Sequence, residues 1–172
     1  MAKIITAAEA ADLIRDGMTL GVSGFGAFAS PDYVMEAMSR KFKEQNTPRD
    51  LTIVSGVAPG DFVEDGCGLS KIRDEGIIKT LIASHLRMSP AIGRACSENK
   101  IAAFSMPLGV YGQLLNAIGS KRPGIITHVG LNTYADPRQD GCKMNELAKA
   151  DGREMVELIH VSGKDYLFYK AF

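Results

Sequence analysis

Asp16-Gly17-Met18-Thr19-Leu20-Gly21-Val22-Ser23-Gly24-Phe25-Gly26-Ala27-Phe28-Ala29-Ser30-Pro31 is the stretch from which the fold is read. Asp16-Gly17 is a turn signal, and Met18 to Val22 is a short apolar run that reads as a strand. A glycine-spaced loop follows, and Ser30-Pro31 has the form of a helix start, with serine as cap and proline at the first helical position. A strand that passes through glycines into a helix makes a corner where main-chain N–H groups approach a ligand closely and the first helical turn leaves its own N–H groups unpaired. A phosphate, a carboxylate or a developing oxyanion suits such a corner. Gly24 and Gly26 have a second, purely structural reading, as relief of crowding where strand turns into helix.

Upstream of this stretch, Thr6-Ala7-Ala8-Glu9 has the spacing of a capping box, and Ala10, Leu13 and Ile14 continue at helical intervals. Downstream, Val34, Met35, Ala37, Met38 and Phe42 give a second helix its apolar stripe, which breaks at Asn46-Thr47-Pro48-Arg49-Asp50. Leu51 to Val54 is a β-branched strand, so the order strand, helix, strand makes a βαβ unit. Gly56 to Gly68, with Pro59-Gly60, Asp61, Glu64 and Asp65, reads as a surface loop over the strand ends.

Ile77 to Ser84 is the next strand, and Ser89-Pro90 repeats the cap-plus-proline start of a helix running through Cys96. Ile101 to Phe104 reads as a strand, Gly109 to Ile118 as a helix and Gly124 to Val129 as a further strand. This alternation predicts an α/β fold, an open, mostly parallel Rossmann-like sheet with helices on both faces. Met155 to Val161, the turn Ser162-Gly163-Lys164-Asp165 and Tyr166 to Tyr169 predict a C-terminal β-hairpin. Aromatic strand residues at the close of the chain predict an unprotected edge and a truncated end.

With 172 residues the chain fits one domain, and its 20 Lys and Arg balance 20 Asp and Glu. That balance, with no basic patch carrying interleaved aromatics, argues against nucleic acid or an acidic membrane surface as partner. No apolar run reaches bilayer length, so no membrane span is expected. Cys67, Cys96 and Cys142 are odd in number and far apart, without the close pairs of zinc or redox motifs. They read as reduced thiols of a cytoplasmic protein, and no metal site is expected. His85 follows a strand end and faces two readings, a general base in the crevice or a histidine held by a backbone hydrogen bond. His128 and His160 lie within strand patterns and read as packing positions.

The stretch Asp16 to Pro31, together with Asp50-Leu51-Thr52-Ile53-Val54, Glu98-Asn99-Lys100-Ile101, Arg122-Pro123-Gly124, Asp136-Pro137-Arg138-Gln139-Asp140-Gly141 and Tyr166 to Phe172, resembles the first half of family I coenzyme A transferases, nearest the propionate and acetoacetate branch. The resemblance covers nearly the whole chain. It implies transfer of CoA from an acyl-CoA to a free short-chain carboxylic or 3-keto acid through a glutamyl-CoA thioester, with no metal or dissociable cofactor. The family carries that glutamate in its second half, so residues 1–172 are expected to be an incomplete N-terminal domain, with no catalytic residue in this chain. The expected partners are the two substrates and a second domain or subunit, in a homo-oligomeric assembly.

On this resemblance Ser23, Gly24, Phe25 and Gly26 line the acyl or thioester end, with Leu108 and Gly109 beside them and the Asp61 loop and Gln139 turn at the border. Ser23 stands where many members have glycine, and Leu108 where many have glutamine, which makes the acyl end more apolar. Ser97-Glu98-Asn99 has the look of the catalytic Ser-Glu-Asn-Gly context, but Lys100 replaces the glycine and the tripeptide closes a helix, so Glu98 is read as a solvated helix end. Arg138 has a choice between a CoA phosphate and its own acidic neighbours, and the neighbours are preferred. The rival readings are an acyl-CoA hydrolase with the same covalent chemistry and a non-catalytic ligand-binding or assembly module.

Overall fold

Thr6 opens the first helix of the computed structural model, which describes residues 3–172. Its hydroxyl accepts from the Glu9 N–H at 3.2 Å, and the Glu9 carboxylate accepts from the Thr6 N–H at 2.8 Å. This is the reciprocal box that the spacing predicts, and α1 runs Ala7–Asp12 from it. Next come β1 (Thr19–Val22), α2 (Asp32–Gln45), β2 (Leu51–Ser55), a short 3-10 helix (Gly68–Ile72), β3 (Ile78–Ala83), α3 (Pro90–Ser97), β4 (Ala102–Ser105) and α4 (Leu108–Gly119). β1 to β4 lie side by side in chain order, and each pair is parallel.

Side chains of a strand alternate between faces, and here the alternation splits the core in two. Ile53, Leu81 and Ala103 join Met35, Met38, Ile92 and Cys96 on the face covered by α1, α2 and α3. Val54, Ile82 and Phe104 join Val110, Leu114, Leu167 and Tyr169 on the other. The sheet is therefore covered on both sides, as the near-continuous apolar strands predict.

The last strands depart from expectation. β5 (Gly124–Thr127) leaves the parallel sheet and pairs antiparallel with β7 (Lys164–Lys170), which pairs on its other side with β6 (Val156–Val161). The reason is at β4, whose outer edge is already occupied. Met144 donates its N–H to the Ala103 carbonyl at 2.9 Å, and Ser105 donates to the Cys142 carbonyl at 2.8 Å. Asn145 then caps α5 (Glu146–Ala150), accepting from the Ala148 N–H at 3.0 Å. The hairpin turn is tighter than predicted, since Val161 already pairs with Lys164 and only Ser162 and Gly163, both at positive φ, make the loop. β7 is central in its sheet, so the unprotected edge expected there is absent and β5 and β6 are the edges.

Two helix starts also differ. Pro31 rather than Ser30 occupies the cap position of α2, and the Ser30 hydroxyl is buried without a hydrogen-bond partner. Pro90 opens α3 as predicted, but the Ser89 hydroxyl turns away to the Pro59 carbonyl at 3.3 Å and to Ser70 Oγ at 3.1 Å. The loop after β2 is a surface feature only from Asp61 onward. Val57 to Gly60 are buried, and Ala58 donates to the His85 carbonyl at 3.0 Å. Among the described residues no helix is long and apolar enough to cross a membrane.

Candidate functional site

Parallel strands all end on one side of the sheet, and the loops after β1, β2, β3 and β4 gather there, at the position where open α/β sheets have their crevice. The loop after β1 forms a small hairpin in which Phe25 and Phe28 exchange N–H to carbonyl bonds at 3.0 and 3.1 Å across Gly26 and Ala27. Gly24 has φ +128, a value side chains rarely adopt, and an added Cβ would stand 3.1 Å from Pro59 Cβ and 3.3 Å from the Phe28 carbonyl oxygen. Gly26 accepts from the Gly60 N–H at 3.0 Å and turns its own N–H to Met88 Sδ at 3.3 Å. The N–H groups of Phe25, Gly26 and Phe28 are thus engaged within the protein, which narrows the expected cradle of free glycine N–H groups. The rings of Phe25 and Phe28 are exposed, Phe28 to 80 %.

Leu108 and Gly109 begin α4 at the same end of the sheet as the loop after β1. Leu108 is 50 % exposed. Its Cδ1, with the Tyr111 ring, faces Gly56 at the end of β2. Beneath it the strand ends are tied by hydroxyls: Ser55 donates to the Val22 carbonyl at 2.8 Å, Ser84 to the Gly56 carbonyl, and Ser105 to the Ser84 carbonyl at 2.8 Å. Each hydroxyl reaches back to the strand before it, so the floor of the crevice is held by a relay of serines. Sequence reasoning missed this relay; its signal is a serine at or just past the end of three successive strands. A depression of about 370 Å³ beside it is lined by Ser84, Ser105, Tyr134 and Lys143.

Four carboxylates on and beside these loops are partnered. Asp32, in the first turn of α2, accepts from the Gly68 N–H at 2.9 Å. Asp61 is drawn up by desolvation, but the N–H donors of Val63 and Cys67, both at 3.3 Å, outweigh this and hold its carboxyl below the ordinary range. Asp65 pairs with Arg73 at 2.8 Å, and Glu64 pairs with Arg94. His85 is exposed just past β3, and its backbone carbonyl is what Ala58 binds. Cys67, partly buried, has its thiol pushed up by burial and by Asp61 and Asp32.

Other candidates lie elsewhere or have structural roles. Glu98 caps the C-terminus of α3 at the opposite end of the sheet and pairs with Lys100 at 3.2 Å. Arg138 binds Asp136, Asp165 and Asn132, as its acidic neighbourhood predicts, and Gln139 is exposed in the turn beside it. His128 and His160 are exposed, not packed; His160 instead faces Asp165 at 3.1 Å.

Comparison with known proteins agrees with this architecture. The description of the coenzyme A transferase family matches residues 4–172, and the chain belongs to that family. It is 42% identical over 172 residues to the caffeate CoA-transferase of Acetobacterium woodii, covering 100% of this chain and 32% of that protein. The crystal structure of the acyl-CoA transferase YdiF apoenzyme from Escherichia coli O157:H7 superposes with a TM-score of 0.90 at 36% identity, over 98% of this chain and 32% of that one. A probable coenzyme A transferase subunit alpha of Bacillus subtilis is 29% identical over 158 residues, 92% of this chain and 58% of the subunit. The chain thus spans about a third of the first two relatives.

Proposed function

We propose that this chain is the N-terminal, alpha-type portion of a CoA-transferase. The enzyme moves CoA from an acyl-CoA to a free short-chain carboxylic or 3-keto acid through a glutamyl-CoA thioester, and the glutamate lies on polypeptide outside this chain. The observation that carries the reading is the joining of the loops at the carboxyl ends of β1 to β4, Gly60 to Gly26 at 3.0 Å and Leu108 against Gly56, in a chain that the coenzyme A transferase family matches over residues 4–172. A carboxylate that attacks a thioester must be free to approach the carbonyl, and the resulting anion must be met by fixed donors. On this chain Asp32 and Asp61 accept from N–H donors, and we assign the nucleophile to a second domain or subunit. Support also comes from the E. coli YdiF protein, which has been solved as a thioester complex with CoA, and from relatives that are alpha subunits.

In this reading Ser23, Gly24, Phe25 and Gly26 border the thioester and Leu108 and Gly109 border the acyl group. The test joins this chain to its second half and follows CoA from acetyl-CoA to an isotopically labelled carboxylate. Transfer to the acid is expected, and the 172-residue chain alone should turn over no acyl-CoA. Release of free CoA without transfer would identify a hydrolase instead.

A further inference from the structure

We infer that Gly56 sets how far the acyl end of the crevice is open, by giving Leu108 room to lie back against the sheet; this rests on the reading that Leu108 borders the acyl group. The Gly56 carbonyl accepts both the N–H of Ser84, at 3.0 Å, and its hydroxyl, so the backbone at this position is pinned to the end of β3. Its φ lies outside the left-handed region, so conformation does not require glycine here. Space does. A Cβ on residue 56 would stand 3.3 Å from Leu108 Cδ1 and 3.3 Å from Tyr111 Cε1, closer than ordinary van der Waals contact.

Something must yield, and the surroundings decide what. Tyr111 is buried in the core beneath α4, 8% exposed, and packed on its far side. Close-packed interiors resist such displacement. Leu108 is half-exposed at the first position of the helix, with solvent on its other side, so its side chain swings outward into the crevice. Gly56 is therefore a positioning residue for chain length, acting only through Leu108. One methylene in an apolar pocket discriminates by about tenfold or more, and a displaced leucine has at least that reach.

The experiment uses the enzyme assembled from this chain and its glutamate-bearing half, with acetyl-CoA and hexanoyl-CoA as donors. The readout is the ratio of kcat/KM for hexanoyl to that for acetyl, which general damage to the fold leaves unchanged because it lowers both. Gly56→Ala should lower the ratio about tenfold and Leu108→Ala should raise it about tenfold. With both substitutions the ratio should equal that of Leu108→Ala, since the added methyl then meets only Tyr111, which the core holds in place. Equal losses on both thioesters, or an unchanged Gly56→Ala effect in the Leu108→Ala background, would overturn the inference. If Gly56→Ala does not assemble, Leu108→Ala alone decides, and an unmoved ratio overturns it. If the unsubstituted enzyme transfers no CoA, the functional reading itself falls and this inference with it.

Discussion

Arg138 grips Asp136 at both carboxylate oxygens, Nε to Oδ1 at 3.0 Å and Nη2 to Oδ2 at 2.7 Å, and the carboxylate is wholly out of contact with solvent. The N–H groups of Asn132 and Arg138 complete its shell at 2.9 and 3.0 Å. Arg138 chiefly, with these N–H groups, holds the Asp136 carboxyl far below the usual carboxylate range, against the opposing pull of burial.

A folded-state pKa below the unfolded one contributes stability above the unfolded value, near 4, that is lost as pH falls through the folded value. Asp136→Asn should therefore lower unfolding free energy by about 2 kcal/mol at pH 7. Below pH about 4 the gap to the parent should narrow, because only the parent has this contribution to lose. Urea unfolding from pH 7 down to acid checks it, and a gap independent of pH would contradict the ion pair.

Asn145 joins three elements. Its side-chain amide donates to the carbonyls of Cys96 and Ile101, both at 2.7 Å, and its oxygen accepts from Ala103 at 3.2 Å and Ala148 at 3.0 Å. Asn145→Ala should destabilise by about 2–3 kcal/mol in chemical denaturation, since several partly buried backbone groups lose their partner. Asn145→Asp puts a carboxylate against two carbonyl oxygens, which disfavours its charged form and raises its pKa. This variant should gain stability relative to Asn145→Ala as pH falls toward 4, the opposite sense to Asp136.

The Cys96 and Cys142 thiols are pushed up to about 12 by burial. A thiol of that pKa in a closed interior presents almost no thiolate at pH 8. Native protein should therefore release one equivalent from a thiol-specific chromogen, slowly and from Cys67, and three equivalents once denatured. Fast release of three from native protein would mean that the two cores open readily.

Gly24→Val combines a strained φ with contacts at 3.1 and 3.3 Å that a larger side chain worsens. In the assembled enzyme it should reduce acyl transfer at least about tenfold, the scale expected when a neighbouring loop shifts by about 1 Å. Unchanged kinetics would remove this corner from the site.

β2, β3 and β4 were legible because their side chains are mostly apolar on both faces, which a covered sheet accommodates, and β1, exposed at Thr19 and Gly21, from the glycine turns that flank it. Gly124 to Val129 looks the same locally, and what diverts β5 is the occupation of β4's edge by Cys142 and Met144, a non-local fact. The corner at Ser23 to Gly26 was visible from glycine spacing, but not that its N–H groups would donate to the loop's own carbonyls and to Met88. The seat of Leu108 on Gly56 is not written in either residue's neighbourhood. For His160, alternation shows that faces exist without showing which one meets water, so its place beside Asp165 needed the third dimension.

The placement of β7 between β5 and β6 bears on how the polypeptide matures at the ribosome. β5 and β6 emerge with no hydrogen-bonding partner and wait for Lys164–Lys170, the segment that both must flank. Among the parallel strands only β1 waits for a later one, since β2, β3 and β4 each find a neighbour among residues already synthesised. Vectorial synthesis thus lets the parallel layer pair strand by strand, while the antiparallel one closes only once β7 has emerged.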